Sequence, residues 1–151
     1  MKKMKNFLLL IITILSLSAC KTYSDEDKRN FDKQIKAYIS QHNLKCKKSA
    51  SGLYYKVIKE GKGNKIQISD NVSISYKGKL INYTTFDYQK KPVTFAVKDL
   101  IGGWKEMLLK SKPGAKIYMI LPPHLGYGSN DLDDIPKNSI LIFEMEIKSV
   151  E

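Results

Sequence analysis

Apolar side chains recur at helical spacing near the start of the chain. Over residues 24–42 one stripe has members three or four positions apart, namely Phe31, Ile35, Tyr38, Ile39 and, at its end, His42. Ser24 precedes three acidic residues and forms an approximate capping box with Asp27. The pattern predicts an amphipathic N-terminal helix. The sequence leaves open whether its stripe packs on its own domain, on a second copy of the chain in a homodimer, or on a client polypeptide.

From Leu53 onward the hydrophobic period changes to two. Strands are predicted at residues 53–58, 72–76, 115–121 and 139–150. In the second of these, three residues should face inward: Val72, Ile74 and Tyr76. In the last, Leu141, Phe143, Met145 and Ile147 should face one way and Ile142, Glu144 and Glu146 the other.

Two further segments complete the pattern. Phe86-Asp87 and residues 92–95 are predicted to bracket a short loop. Residues 100–109 have helical spacing, with Ile101, Trp104 and Leu108 on one side, and Pro113-Gly114 should end the helix. Strands joined by short turns around one short helix predict the α+β class, with an antiparallel sheet wrapped over that helix.

The extreme N-terminus has the composition of an export signal. Lys2, Lys3 and Lys5 precede an apolar run over residues 7–17, about half the roughly 20 residues of a membrane-spanning helix. Residues 17–20 resemble a bacterial lipobox, which implies cleavage before Cys20 and attachment of lipid there, the alternative being a plain secreted protein cut nearby. The expected divisions are a signal peptide (1–19), a linker with the amphipathic helix (20–50) and one domain (51–151). This organisation predicts a lipid-anchored protein of the bacterial cell envelope, facing the periplasm or the cell surface.

Charge and cysteine content narrow the functional classes. The net charge of the 151-residue chain falls from +11 to +8 without the three leader lysines, and the remaining lysines are scattered, which argues against a nucleic-acid partner. The two histidines lie far apart and no Cys/His cluster occurs, so no metal site is expected. Cys46 stands among lysines that are expected to lower its pKa, but no catalytic pattern surrounds it.

An ordered series of short motifs follows Ser51. Along the chain these are Ser75-Tyr76-Lys77-Gly78, Thr85-Phe86-Asp87, Leu100-Ile101-Gly102-Gly103-Trp104, Leu121-Pro122-Pro123-His124-Leu125-Gly126-Tyr127-Gly128 and the segment from Ile135 to Phe143. In this order the chain resembles the FKBP family of peptidyl-prolyl cis–trans isomerases over roughly residues 51–151. The resemblance implies a five-stranded antiparallel sheet curled around one short helix, with an apolar pocket between them.

The resemblance also assigns roles, residue by residue. It implies that Trp104 forms the pocket floor, that Tyr76, Phe95 and Phe143 form its walls, and that Phe86 and Asp87 lie beside it. It implies that the Tyr127 hydroxyl and the Ile101 N–H bind substrate carbonyl groups, with Leu100 next to Ile101 and Ile135 on the rim. Catalytic roles are thus expected for Tyr76, Phe86, Asp87, Trp104, Tyr127 and Phe143, and substrate-binding roles for Phe95, Leu100, Ile101 and Ile135.

The chain departs from the family pattern in two loops. The segment from Asp87 to Pro92 is short and holds no arginine that would pair with Asp87, and the loop over residues 129–134 is acidic and slightly shortened. Peptide preference and macrolide binding therefore stay open.

The resemblance implies an isomerase that needs no cofactor and acts on proline-containing polypeptides, accelerating the folding of exported proteins at the envelope. Two alternatives stay open: a chaperone that holds clients without turnover, and a docking lipoprotein of an envelope machine such as a gliding or secretion apparatus.

Overall fold

The computed structural model describes residues 23–151. The predicted signal peptide, the lipobox and the lipid-bearing Cys20 lie outside the described residues. Within residues 23–151, no helix combines the length and the hydropathy that crossing a membrane requires. The described part contains the N-terminal helix and the sheet with its short helix, so the predicted α+β class is confirmed.

Helix α1 (Asp25–Gln41) begins where its capping signal predicts. The Oγ of Ser24 accepts a hydrogen bond from the Asp27 N–H at 3.1 Å, and the Asp27 carboxylate accepts one from the Ser24 N–H at 3.1 Å. Ile35 and Tyr38 are buried, and the stripe packs against one face of the sheet through Tyr54, Ile120, Ile140 and Ile142. Of the three partners left open by the sequence, the stripe contacts its own domain; dimerisation through this helix stays a prediction.

Six antiparallel strands form one sheet in residues 23–151. They are β1 (Lys47–Lys48), β2 (Tyr54–Lys59), β3 (Asn71–Leu80), β4 (Thr85–Ala96), β5 (Lys116–Leu121) and β6 (Leu141–Val150), in the order β1-β2-β5-β6-β3-β4. Five correspond to the expected sheet. The sixth, β1, is a two-residue edge strand that pairs with Tyr54 and Tyr55 and has no alternating pattern of its own.

Strands β3 and β6 alternate as their sequences predict. Val72, Ile74 and Tyr76 are buried on β3. On β6 the four residues of the inner face are buried, while Ile142 is buried on the outer face beneath α1 and Glu144 is exposed. The sheet therefore separates two apolar layers: an inner core cluster under helix α2 and a smaller outer cluster under helix α1.

The predicted loop between Phe86 and residues 92–95 is wrong. Strand β4 continues through it, and a register irregularity absorbs the extra residues, since Val93 pairs with Ile74 while Gln89 pairs with Tyr76. Pro92 is tolerated because β4 is an edge strand, where one row of N–H groups has no ladder partner.

Helix α2 (Gly102–Leu109) starts two residues later than predicted. A 3-10 turn (Val97–Asp99) precedes it, and Ile101 is extended, with φ −60° and ψ 153°. Trp104, Met107 and Leu108 are buried against the inner face of the sheet. Gly103 permits this close approach, because a Cβ there would lie 2.4 Å from Leu121 Cδ2.

A shallow hollow of about 480 Å³ lies on the outer side, next to α1 and β2. Its lining includes Ile39, Leu44, Cys46 and Tyr54. Burial raises the pKa of the Cys46 thiol, and the nearby positive charge of Lys56 only partly offsets this effect. The expectation that neighbouring lysines lower this pKa is therefore wrong, because loss of hydration outweighs their attraction.

Candidate active site

The indole of Trp104 forms the centre of an aromatic cluster between helix α2 and the sheet. Its ring centroid lies 4.9 Å from Tyr76, 5.1 Å from Phe143 and 5.9 Å from Phe95, with interplanar angles of 84°, 84° and 87°. Three rings thus stand nearly perpendicular to one indole, an edge-to-face arrangement that favours aromatic pairs. The structure brings the expected floor and wall residues together.

The indole N–H is buried and has no hydrogen-bond partner among residues 23–151. A buried donor left unpaired costs about 1–3 kcal/mol. Burial of a large aromatic ring, with Trp104 only 4% exposed, offsets this cost. The apolar surface and the shape of the indole, and not a hydrogen bond, therefore keep Trp104 in this position.

Phe86 extends the cluster toward solvent. It is half-buried and meets Phe143 edge to face, with centroids 5.6 Å apart and an interplanar angle of 86°. Both rings rest on Gly78 of β3, where a Cβ would lie 2.6 Å from two atoms of the Phe86 ring and 2.8 Å from Phe143 Cε1. Gly78 lies in one of the ordered sequence motifs, but no signal in the sequence marks it as the support for these two rings.

Asp87 is held by two neutral donors. The Tyr76 hydroxyl donates to Oδ2 of Asp87, and Nε2 of Gln89 donates to Oδ1 at 3.1 Å. The segment from Asp87 to Pro92 holds no arginine, and an amide on the same strand supplies a partner for Asp87 instead. Gln89 was not predicted from the sequence, although residues two apart on a strand share a face.

Both tyrosines of the cluster keep their protons across the physiological pH range. The pKa of Tyr76 is raised by burial first, then by its hydrogen bond to Asp87 and the negative charge of that carboxylate. Burial and the charge of Asp87 also raise the pKa of Tyr127. Each hydroxyl is therefore a neutral hydrogen-bond donor.

Two donors near the cluster are unoccupied. Neither the Tyr127 hydroxyl nor the Ile101 backbone N–H donates to an atom of residues 23–151. Tyr127 and Ile101 are half-buried and pack on the inner core cluster. These two groups are available to bind the carbonyl oxygens of a peptide that enters the aromatic cluster.

The remaining expected residues differ in exposure. Leu100 and Phe95 are half-buried and pack on the inner core cluster, so they belong to its accessible margin. Ile135, expected on the rim, is only 1% exposed and pairs through its backbone with Leu132. Its side chain supports the cluster from inside, because this short bridge turns it toward the core.

Metal-dependent chemistry has no evident ligands in the described part of the chain, where no three His, Cys, Asp or Glu side chains group as metal ligands would. His124 lies in a 3-10 turn (Pro123–Leu125), and its Nε2 is 2.8 Å from the backbone oxygen of Ser51. His42 caps the C-terminal end of α1 and its Nε2 lies 2.9 Å from the Tyr83 hydroxyl. Both histidines therefore make structural contacts.

Solved structures of known proteins share this architecture. The crystal structure of FkpA from Escherichia coli superposes with a TM-score of 0.73 at 35% identity, covering 84% of this chain and 62% of FkpA. The crystal structure of a peptidyl-prolyl cis–trans isomerase from Pseudomonas syringae pv. tomato gives a TM-score of 0.70 at 26% identity, covering 86% of this chain and 98% of that protein. The antiparallel sheet with its short helix is the FKBP-like fold.

Sequence comparison agrees. The FkpA protein of Buchnera aphidicola subsp. Schizaphis graminum is 41% identical over 144 residues, which cover 87% of this chain and 57% of that relative. The chain spans about half the length of the curated relatives it matches. The family model described as FKBP-type peptidyl-prolyl cis-trans isomerase matches residues 62–148, more than half of the chain. The chain therefore belongs to the family of FKBP-type peptidyl-prolyl cis–trans isomerases.

Proposed function

We propose that this chain is a peptidyl-prolyl cis–trans isomerase that accelerates the folding of exported proteins at the cell envelope. The observation that carries the proposal is the perpendicular packing of three aromatic rings around the Trp104 indole, next to two unoccupied donors. Such a site suits a proline ring and the carbonyl groups that flank it.

The reaction requires the site to stabilise the twisted amide more than the planar one, and it makes or breaks no covalent bond. Rotation about a peptide bond faces a barrier of about 18–20 kcal/mol because resonance keeps the amide planar. The twisted amide has lost that resonance and much of its charge separation, so an apolar cavity favours it over the planar form. This preference is differential binding of the transition state. Each 1.4 kcal/mol or so of such preference raises the rate about tenfold.

The donors hold the peptide while its prolyl bond rotates. In the proposed complex, the Tyr127 hydroxyl and the Ile101 N–H bind carbonyl oxygens on either side of the proline. Both donors are half-buried, and a hydrogen bond gains strength where the surrounding dielectric constant is low. The peptide backbone is thereby fixed, and rotation is confined to the ring in the cavity.

Asp87 has a supporting role in this proposal. Its carboxylate fixes the Tyr76 hydroxyl and is itself oriented by Gln89. Its negative charge lies close enough to Tyr127 to affect that hydroxyl. The proposed catalytic residues are Tyr76, Phe86, Asp87, Trp104, Tyr127 and Phe143, and the proposed substrate-binding residues are Phe95, Leu100 and Ile101. Ile135, which was also expected to bind substrate, is buried and would support these residues from inside.

The location is proposed from the leader sequence. Residues 1–20 combine a basic start, an apolar run and a lipobox-like ending at Cys20. A lipid-anchored protein of the envelope meets proline-containing polypeptides as they leave the membrane. Several acyl chains on one cysteine give stable anchoring, whereas one chain gives only marginal binding.

Turnover of a prolyl peptide, measured with a coupled protease, tests the activity of the chain from Thr22 onward. Tyr127→Phe removes one neutral hydrogen bond, worth about 1 kcal/mol, and should lower kcat/KM about fivefold. The matched control is Tyr118→Phe, the same change on the outer face of the sheet, where the Tyr118 hydroxyl lies 3.5 Å from the Tyr38 hydroxyl. This control should retain full turnover.

Trp104→Ala removes the floor and should nearly abolish turnover. Because loss of a buried tryptophan costs about 3–5 kcal/mol of stability, Trp104→Phe is measured beside it, with folding checked by circular dichroism. A folded parent chain that does not accelerate isomerisation would contradict the proposal and favour a chaperone that only holds its clients. Full turnover in both Trp104 variants would remove the assignment of the site.

A further inference from the structure

Tyr23 fastens the start of the described chain to the rest of the domain. Its half-buried ring meets Phe31 of α1 edge to face, with centroids 5.4 Å apart and an interplanar angle of 84°. The ring also lies 6.4 Å from the His124 ring. Its hydroxyl donates to Oδ1 of Asn138 at 2.7 Å. The residue is therefore held by three separate parts of the fold.

The hydrogen bond to Asn138 lies at the base of the loop that begins with Tyr127. Residues 127–138, here called the Tyr127 loop, are closed by a hydrogen bond from the Asn138 N–H to the Gly128 oxygen at 2.8 Å. The Tyr23 hydroxyl lies 3.9 Å from the point where a Cβ on Gly128 would stand. Tyr127 immediately precedes Gly128 in the chain. The N-terminal segment is thus attached to the loop that begins with Tyr127, next to the backbone of that residue.

The length of chain before Tyr23 then limits the orientation of the domain. Only three residue steps separate Cys20 from Tyr23, and these span at most about 11 Å when fully extended. We propose that the domain face carrying the Tyr127 loop lies against the surface of the membrane in which the Cys20 lipid is inserted. This inference rests on the lipid anchor of the proposed function, but not on the isomerase activity.

The opposite end of the sheet must lie farther from that surface. Leu141 of β6 follows the Tyr127 loop closely, whereas Ile147 accepts a hydrogen bond from Gly114 at 2.8 Å at the far end. Six residues of strand at about 3.3 Å each separate these positions, a distance of about 20 Å. Lys62 belongs to the far end, because its N–H donates to the Pro113 oxygen at 2.9 Å.

Charge does not supply the orienting force. The Tyr127 loop carries three exposed aspartates, Asp131, Asp133 and Asp134, against one exposed lysine, Lys137, so its net negative charge is repelled by anionic lipids. At physiological ionic strength this repulsion decays over about 8 Å, which is shorter than the tether. The short tether alone keeps the loop near the lipid, and vesicles of neutral phosphatidylcholine suffice as the probe surface.

Fluorescence quenching measures this orientation directly. The lipid-modified full chain, with Cys46→Ser to leave one reactive thiol, is labelled at Ser129→Cys in the loop or at Lys62→Cys at the far end. Each sample is bound to phosphatidylcholine vesicles that contain lipids with nitroxide headgroups. We expect stronger quenching at position 129 than at position 62, because the two ends differ by about 20 Å in height.

A tether variant provides the matched control. Insertion of ten Gly/Ser residues after Thr22 gives a flexible tether with a root-mean-square length of about 20 Å, so the difference between the two labels should disappear. Equal quenching of both labels without the insertion would overturn the proposal, as would vesicle binding that persists after Cys20→Ser. A quenching difference in a protein without turnover would support this orientation while refuting the isomerase activity.

Discussion

Gly78→Ala is the smallest change that should disturb the aromatic cluster. The added methyl carbon would stand 2.6 Å from Cε2 and Cζ of Phe86 and 2.8 Å from Cε1 of Phe143. Carbon atoms in contact prefer about 3.5–4.0 Å, so one ring must retreat by about 1 Å. Phe143 is only 2% exposed and has no room, whereas Phe86 is half-buried. We therefore expect Phe86 to move toward solvent.

The expected loss of stability is modest. Forcing an extra methyl group into a packed site costs about 1–3 kcal/mol. Replacement of glycine by alanine also reduces the conformational entropy of the unfolded chain, which stabilises the folded state by about 0.4–1 kcal/mol. The net decrease in the free energy of unfolding should be about 1–2 kcal/mol. Displacement of Phe86 from its place beside the pocket should lower kcat/KM about tenfold, equal to about 1.4 kcal/mol of transition-state binding.

Urea unfolding and prolyl-peptide turnover check the two values. Gly102→Ala is the matched control, because a Cβ there would have ordinary contacts of 3.7 Å with Leu125. This variant should unfold at a urea concentration no lower than the parent chain, since alanine is the better helix former. If Gly78→Ala left both the unfolding midpoint and kcat/KM unchanged, the tight packing of Phe86 and Phe143 on Gly78 would be refuted.

Three further predictions each concern a single residue. Ser24→Ala should lower the free energy of unfolding by about 1 kcal/mol in urea titration, because α1 loses its N-cap. Burial opposes ionisation of Asp32, but hydrogen bonds from Lys36, Lys48 and Tyr54 outweigh it and lower its pKa from 3.8 to about 2. The folded state therefore binds protons more weakly than the unfolded state, and stability should fall as the pH drops from about 4 to 2, less steeply in Asp32→Asn. The Cys46 thiol should react with iodoacetamide more slowly than a free cysteine at pH 8, because burial raises its pKa.

Elements with strong local patterns could be predicted from the sequence. The capping box gives the start of α1, since its signal lies within the element. The alternation predicts that residues 72–76 form a strand, but not the full extent of β3 (Asn71–Leu80). Strand β4 could not be predicted in this way, because Pro92 and the polar residues before it have the composition of a turn. Only its place at the sheet edge, next to β3, makes such a sequence stable as a strand.

The same distinction applies to the candidate site. Its aromatic residues could be predicted because they lie in ordered motifs, but the hydrogen bond from Gln89 to Asp87 depends on β4 being a strand. The burial of Ile135 depends on its bridge to Leu132, which no periodic pattern signals. The attachment of Tyr23 to Asn138 joins residues 115 positions apart. Contacts of this range follow from the fold and not from local sequence.

The absence of charged donors among the groups proposed to bind substrate is consistent with the reaction proposed for them. A planar amide carries more charge separation than a twisted one, so a cationic donor in the cavity would stabilise the ground state more than the transition state. Asp87 pairs with the neutral donors Tyr76 and Gln89, and the pKa values of Tyr76 and Tyr127 are raised, which keeps both hydroxyls neutral. The hydrogen bond from the neutral amide of Gln89 therefore supports Asp87 without placing a positive charge near the rotating bond. The shape and low polarity of the aromatic cluster, and not the position of a proton, should then determine the rate.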